Sequence, residues 1–253
     1  MGFATHRRAS YLAVAIAVAV GLSACSSSTP ASTAKPSAAS TPSAQVTSAT
    51  GNSAPALFDQ LQKSGASARS VRIKGTVTNG ATAASKAVTV QIDIAGDLAG
   101  KNNTALINDG TGAMELLTVG GKTYLKADTA YWTKNGSAAI AKVAAGKYIV
   151  VPPTSAAAMS DSTAGKLLSQ IYSSASGQLS TKVVKTEVNG VPAYLLTTKS
   201  NDTKLYVTAD GQARLLRVQG SKGQLSAWDF SEWNAVPLAS APAPTNVTTI
   251  PTR

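Results

Sequence analysis

The chain holds one cysteine and one histidine, and the cysteine stands where thiol chemistry has a specific use. Cys25 follows Leu22, Ser23 and Ala24, and before these Tyr11 to Leu22 is a run without charge. His6, Arg7 and Arg8 make the start of the chain positive. The run is too short and wrongly flanked for an ordinary transmembrane span, and small residues before the cysteine suit a signal peptidase that grips extended chain. The Leu-Ser-Ala-Cys ending matches the bacterial lipobox, whose cysteine thiol receives a diacylglyceryl group before cleavage. Residues 1–24 are therefore expected to be a lipoprotein signal peptide. Cys25 is expected to be the lipid-bearing first residue of the mature chain, held at the extracytoplasmic face of the cell membrane. Arg7-Arg8 fits a twin-arginine signal only loosely, which leaves the export route open.

His6 leaves with the signal peptide, and no second cysteine exists. The mature chain then has no imidazole and no intramolecular disulfide. This excludes Cys/His metal sites, Ser-His-Asp triads and Cys-His pairs. Two pairs of acids lie close in sequence, Asp93 with Asp97 and Asp229 with Glu232. Paired carboxylates can work as acid and base in glycoside cleavage, but these fall on the wet faces or turns of strands. Gly-x-Ser-x-Gly and a phosphate-cradling loop are both missing. Tyr131-Trp132, Trp228 and Trp233 are residue types that stack on sugars, and here they are read as packing at the core edge, with Tyr131-Trp132 closing the first set of strands. The expectation is a protein without catalytic residues, metal or cofactor.

Cleavage before Cys25 removes two positive charges and no acid, leaving +9 of the formal +11. The cations are mostly scattered lysines, and nucleic-acid binding would need a basic stripe interleaved with stacking aromatics. Attraction to anionic headgroups or cell-wall polymers fits this surface better.

Ser26 to Ser53 is almost wholly Ser, Thr, Ala and Pro, with one charge at Lys35. Such a stretch buries too little apolar surface to offset its ordering entropy. It is expected to be a disordered tether with a mean span on the order of 30 Å. From Ala54, Leu57, Phe58 and Leu61 share a helix face, with Ser53 as N-cap, Pro55 in the first turn and Gly65 as a stop. Strands follow: Val71, Ile73 and Val77 alternate with polar residues, as do Val88, Val90, Ile92 and Ile94. Gly120-Gly121, Asn189-Gly190 and Asp210-Gly211 read as two-residue hairpin turns. Residues 134–178 read as a mostly helical insertion, in which Asp161 caps a helix carrying Leu167, Leu168, Ile171 and Tyr172. The chain from about Pro237 reads as an irregular tail. The total is about ten strands in two meanders, with helices before and between them, and the apolar face of the sheet requires those helices as cover.

The phrases "SVRIKGTV", "VTVQIDIAGDL", "MELLTVGGKTYLKA", "YWTK", "VNGVPAYLLTT", "LYVTADGQARLLRV" and "WDFSEWNAVPL" follow one another after the lipobox and tether. In kind and order this resembles the actinobacterial LppX/LprA/LprF/LprG lipoproteins, which share a fold with the LolA and LolB carriers. The resemblance spans roughly residues 54 to 245. It implies an α+β fold over residues 54–253, in which a strongly curved antiparallel half-barrel of about ten strands wraps around several helices and encloses an apolar cavity. It also implies binding of lipid or glycolipid acyl chains, with movement of that lipid through the envelope. Cys25 is the position that carries over directly. The apolar residues Val88, Val90, Ile92, Ile94, Leu116, Leu167, Leu168 and Ile171 are candidate cavity lining, and each also serves as core. An envelope protein partner stays open. The alternative is a tethered module with a filled core that binds a protein partner or cell-wall polymer.

Overall fold

A computed structural model describes residues 53–79, 88–158, 163–200, 202–220 and 227–250. The signal segment, Cys25, the tether and Asp161 lie outside the described residues.

Helix α1 (Ala54–Ser67) opens as its sequence requires. The Ser53 hydroxyl accepts from the Ala56 N–H at 3.3 Å, and Pro55 sits in the first turn. Leu57, Phe58 and Leu61 are buried along one face. Gly65 does not end the helix, which runs on to Ser67.

The first wing of the sheet is a meander: β1 (Ser70–Asn79), β2 (Val88–Asp97), β3 (Asn102–Asn108), β4 (Ala113–Val119) and β5 (Lys122–Ala127). Then come α2 (Thr129–Asn135), α3 (Ala138–Ala144), the short β6 (Tyr148–Val150), α4 (Pro153–Ala158) and α5 (Ala164–Ala175). The second wing is β7 (Leu179–Val188), β8 (Val191–Thr198), β9 (Lys204–Thr208), β10 (Leu215–Gln219) and β11 (Ala227–Ser231). A 3-10 turn (Pro244–Asn246) leads into β12 (Val247–Thr248). All twelve strands form one open, curved sheet in the order β12-β6-β5-β4-β3-β2-β1-β11-β10-β9-β8-β7. Among the described strands only the β12–β6 pair is parallel. The wings meet at the antiparallel β1–β11 seam, where Gly75 stands opposite Trp228. Glycine is needed there, because a β-carbon would come within 2.3 Å of the indole.

Three further expectations are corrected. The sheet has twelve strands, not about ten, because β6 interrupts the stretch read as helical and β12 lies in the tail. Segments of three and two residues are too short to display alternation. Tyr131 and Trp132 sit in α2, started by Asp128, whose carboxylate accepts the Tyr131 N–H at 2.7 Å. Asp210-Gly211 is not a two-residue turn. Gly211 and Ala213 take the positive φ, and residues 209–213 form the connection, closed by the Thr208 N–H donating to the Arg214 carbonyl. The Gly120-Gly121 and Asn189-Gly190 turns do have positive φ at both positions, as a type I′ hairpin demands.

One face of the sheet carries the core. Ile73, Ile94, Leu116, Leu125, Leu196, Leu205, Leu215 and Phe230 are buried on it, and Leu61 of α1 with Leu167 and Leu168 of α5 cover it. Full burial of each such side chain contributes about 1.5–3 kcal/mol. The outer face carries most of the ionic pairs. Arg72 reaches Asp93 at 2.8 Å and Glu232 at 3.2 Å, and Lys74 also approaches Asp93. Burial raises the Asp93 pKa, but hydrogen bonding and charge from Arg72 outweigh it and hold the carboxyl below its ordinary value.

The tail is a strap. The Asn234 N–H donates to the Ser70 carbonyl at 2.8 Å. Asn102 then exchanges two bonds of 2.8 Å with the backbone of Ala239. Beyond it, Val247 and Thr248 pair with Tyr148 and Ile149 of β6. Between these attachments the strap spans the strands that carry Leu117 and Tyr124, both buried apart from the main core.

Candidate functional site

A cavity of about 750 Å³ lies between the core face of the sheet and the helices. Asn103, Leu116, Thr118 and Thr123 form its sheet wall, and α5 from Lys166 to Ser173 forms the opposite wall. The end of α1, at Gln62, Gly65 and Ala66, and the β2–β3 turn, at Leu98 to Gly100, close its sides.

Two glycines set the height of this space. Gly165 lets the start of α5 rest on the β2–β3 turn, since a β-carbon would fall 2.1 Å from the Leu98 carbonyl oxygen. Gly65 lets the Tyr172 ring lie against α1, where a β-carbon would meet the hydroxyl at 2.5 Å. Between these contacts the facing residues are small, among them Ala99, Ala156, Ser169 and Ser173, and they leave the gap unfilled. Thr163 starts α5, its hydroxyl accepting the Lys166 N–H at 3.4 Å. Threonine thus takes the capping role expected of Asp161.

The lining is mixed. Leu98, Leu116, Leu168 and Tyr172 supply apolar surface, whereas Gln62, Thr118, Thr123, Lys166, Ser169 and Ser173 supply polar groups. The Thr118 and Thr123 hydroxyls bond each other at 3.2 Å. Tyr172 meets Phe58 edge-on, with ring centres 6.2 Å apart. Its hydroxyl is buried without a hydrogen-bond partner among the described residues. Burial also pushes its pKa above the ordinary tyrosine value. A space with a leucine floor and a rim of hydroxyls suits an amphiphile.

Of the candidate lining residues, Leu116 and Leu168 face this cavity. Ile92, Ile94 and Leu167 lie in the core, Val90 and Ile171 pack against its edge, and Val88 is 40% exposed. Gly65, Leu98, Gly165 and Tyr172 escaped sequence reading as lining. The available signal was two glycines inside helical patterns, which mark close approach when a helix tolerates their cost.

The acid pairs serve structure. Besides the Arg72 pairs, the Asp97 carboxylate accepts backbone N–H groups of Lys101 and Asn102 at 2.9 and 2.7 Å, and Asp229 pairs with Arg217. Trp132 and Trp228 are buried. Trp233 stacks on Phe230 and donates to the Leu215 carbonyl. A second cleft of about 790 Å³ runs over the outer face, past Lys74, Leu106, Glu115 and Lys126. Among the described residues no His, Cys, Asp and Glu group could hold a metal ion, and no helix is long and apolar enough to cross a membrane.

No family model and no curated protein matches the chain. Solved structures do. The chain is similar to LprF from Mycobacterium bovis, at 17% identity and a TM-score of 0.41, over 77% of this chain and 99% of that one. It is also similar to the Mycobacterium tuberculosis lipoprotein LppX, at 12% identity and a TM-score of 0.40, over 74% of this chain and 100% of that one. Both belong to the family that the sequence phrases resemble. A LolA superfamily protein from Nitrosomonas europaea matches at 10% identity and a TM-score of 0.19, over 74% of this chain and 96% of that one.

Proposed function

We propose that the chain is a membrane-anchored envelope lipoprotein that holds acyl chains of a lipid or glycolipid in the cavity between the sheet and α5, and moves that lipid through the envelope. The observation that carries this reading is the cavity itself. Its volume of about 750 Å³ falls within the roughly 300–1,000 Å³ of small-ligand sites. Leu98, Leu116, Leu168 and Tyr172 take the chain, and the hydroxyl- and amide-bearing rim takes the polar end. Cys25, modified with lipid, anchors the protein, and residues 26–52 link that anchor to α1.

Each buried methylene is worth about 0.8 kcal/mol. Affinity for a series of acyl probes therefore rises about fourfold per added carbon until the cavity is full. The test is organic extraction of the purified chain 26–253 followed by mass spectrometry, with the variant Leu168→Trp beside it. The expected result is an acyl lipid on the native chain and its loss from the variant, whose indole fills the floor. A native chain that carries no lipid and takes up no acyl probe would reject the reading.

A further inference from the structure

We propose that the mouth of this cavity is a docking surface for an anionic phospholipid bilayer. Four exposed cations belong to or adjoin its wall, each carried by an element that also forms that wall. Lys166 lines the cavity. Lys101 follows Gly100 of the wall, and Lys122 precedes Thr123 of the wall. Arg69 stands where α1 passes into β1, and its carbonyl accepts the N–H of the lining residue Leu98 at 3.0 Å. The pairing of Asn102 with Val119 sets the turn bearing Lys101 beside the Gly120-Gly121 hairpin that leads to Lys122. None of the four makes an ion pair among the described residues. Asp97, the acid in this turn, has both carboxylate oxygens turned to backbone N–H groups.

A cationic rim around an opening is complementary to a plane of anionic headgroups. The tether permits this contact. It joins α1 at Ser53, whereas the mouth lies at the other end of that helix, about 21 Å away by the helical rise. Residues 26–52 reach about 90 Å when extended, so an anchored chain can turn its mouth to its own membrane. Contact there would let an acyl chain pass between bilayer and cavity without crossing water. The proposal rests on the acyl-binding reading above.

The test uses chain 26–253 sedimented with phosphatidylcholine vesicles, with and without about one-third phosphatidylglycerol. The expected result is binding only with phosphatidylglycerol, and its loss at about 0.5 M salt. Each cation near an anionic surface strengthens binding about fivefold. The triple variant Arg69→Gln, Lys101→Gln, Lys122→Gln, at rim positions outside the cavity lining, should weaken it about a hundredfold. If circular dichroism shows that the triple variant is unfolded, Lys101→Gln with Lys122→Gln should weaken binding about twenty-five-fold. A control variant, Lys142→Gln, Lys182→Gln, Lys185→Gln, removes exposed lysines elsewhere and should bind as the native chain does. Extraction of each protein tests the cavity separately, and the rim variant should keep its lipid. Docking is overturned if the native chain ignores the vesicles, binds both kinds alike, or loses as much through the control variant as through the rim. Lipid missing from all three proteins would instead reject the cavity reading alone.

Discussion

Tyr172 carries two conflicting demands. Its ring fills the step between α5 and α1 against Phe58 and Gly65, while its hydroxyl is buried and without a hydrogen-bond partner among the described residues. A buried polar group without a bond costs about 1–3 kcal/mol, and its removal is favourable when the shape is kept. Tyr172→Phe should therefore raise stability by about 1 kcal/mol in urea titration, with the denaturant slope unchanged. A fall in stability would show that the hydroxyl has a partner after all. The sequence displayed Tyr172 as one member of an apolar helix face, and the structure agrees. It did not display the contact with Gly65, because nothing local links residues so far apart, and a glycine late in a helical pattern resembles a stop. The same limit applied to Ile92 and Leu116. Both alternate in register with core positions, yet only the latter lines the cavity beneath α5, a difference set by what α5 places opposite them.

At the scale of elements, the strap is held most directly by Asn102, whose two bonds to Ala239 combine donor and acceptor in one side chain. Asn102→Ala removes both and should lower stability by about 1–3 kcal/mol. Hydrogen exchange should show the loss as faster exchange over residues 239–248, with the β1–β2 ladder still protected. Uniform loosening of both regions would mean that the strap and sheet open together. The long elements were legible in sequence. Val71, Ile73, Ile92 and Ile94 alternate and are buried, and Ser53 with Pro55 starts α1. The strap was not legible, because its order comes from individual hydrogen bonds at Asn234 and Asn102 and a parallel pairing of two residues rather than from periodicity. The five-position connection after β9 was missed for a related reason. An Asp-Gly pair permits a tight turn, but here the Asp210 carboxylate accepts the Thr208 hydroxyl and the Gln212 N–H, which favours a wider loop.

For the whole molecule, the anchor and the described domain make separable claims. Cys25→Ser takes away the thiol proposed to accept lipid. In cell fractionation the protein should leave the membrane or remain as uncleaved precursor. Normal processing with full membrane retention would reject Cys25 as the anchor. The α+β class and the two meanders could be read from pattern, whereas the cavity could not, since a void is a relation between elements and leaves no mark in either. The order of the sheet carries a further consequence, which concerns time. Within each wing most strands pair with their chain neighbours, so those ladders close short loops. The β1–β11 seam joins residues such as Ile73 and Phe230 and must close a loop of more than one hundred and fifty positions. Loop entropy grows only slowly with length, but distant contacts form late. The two wings can therefore assemble as separate curved sheets, and the seam, with Trp228 laid across Gly75, is the joint that turns two half-formed surfaces into one enclosure.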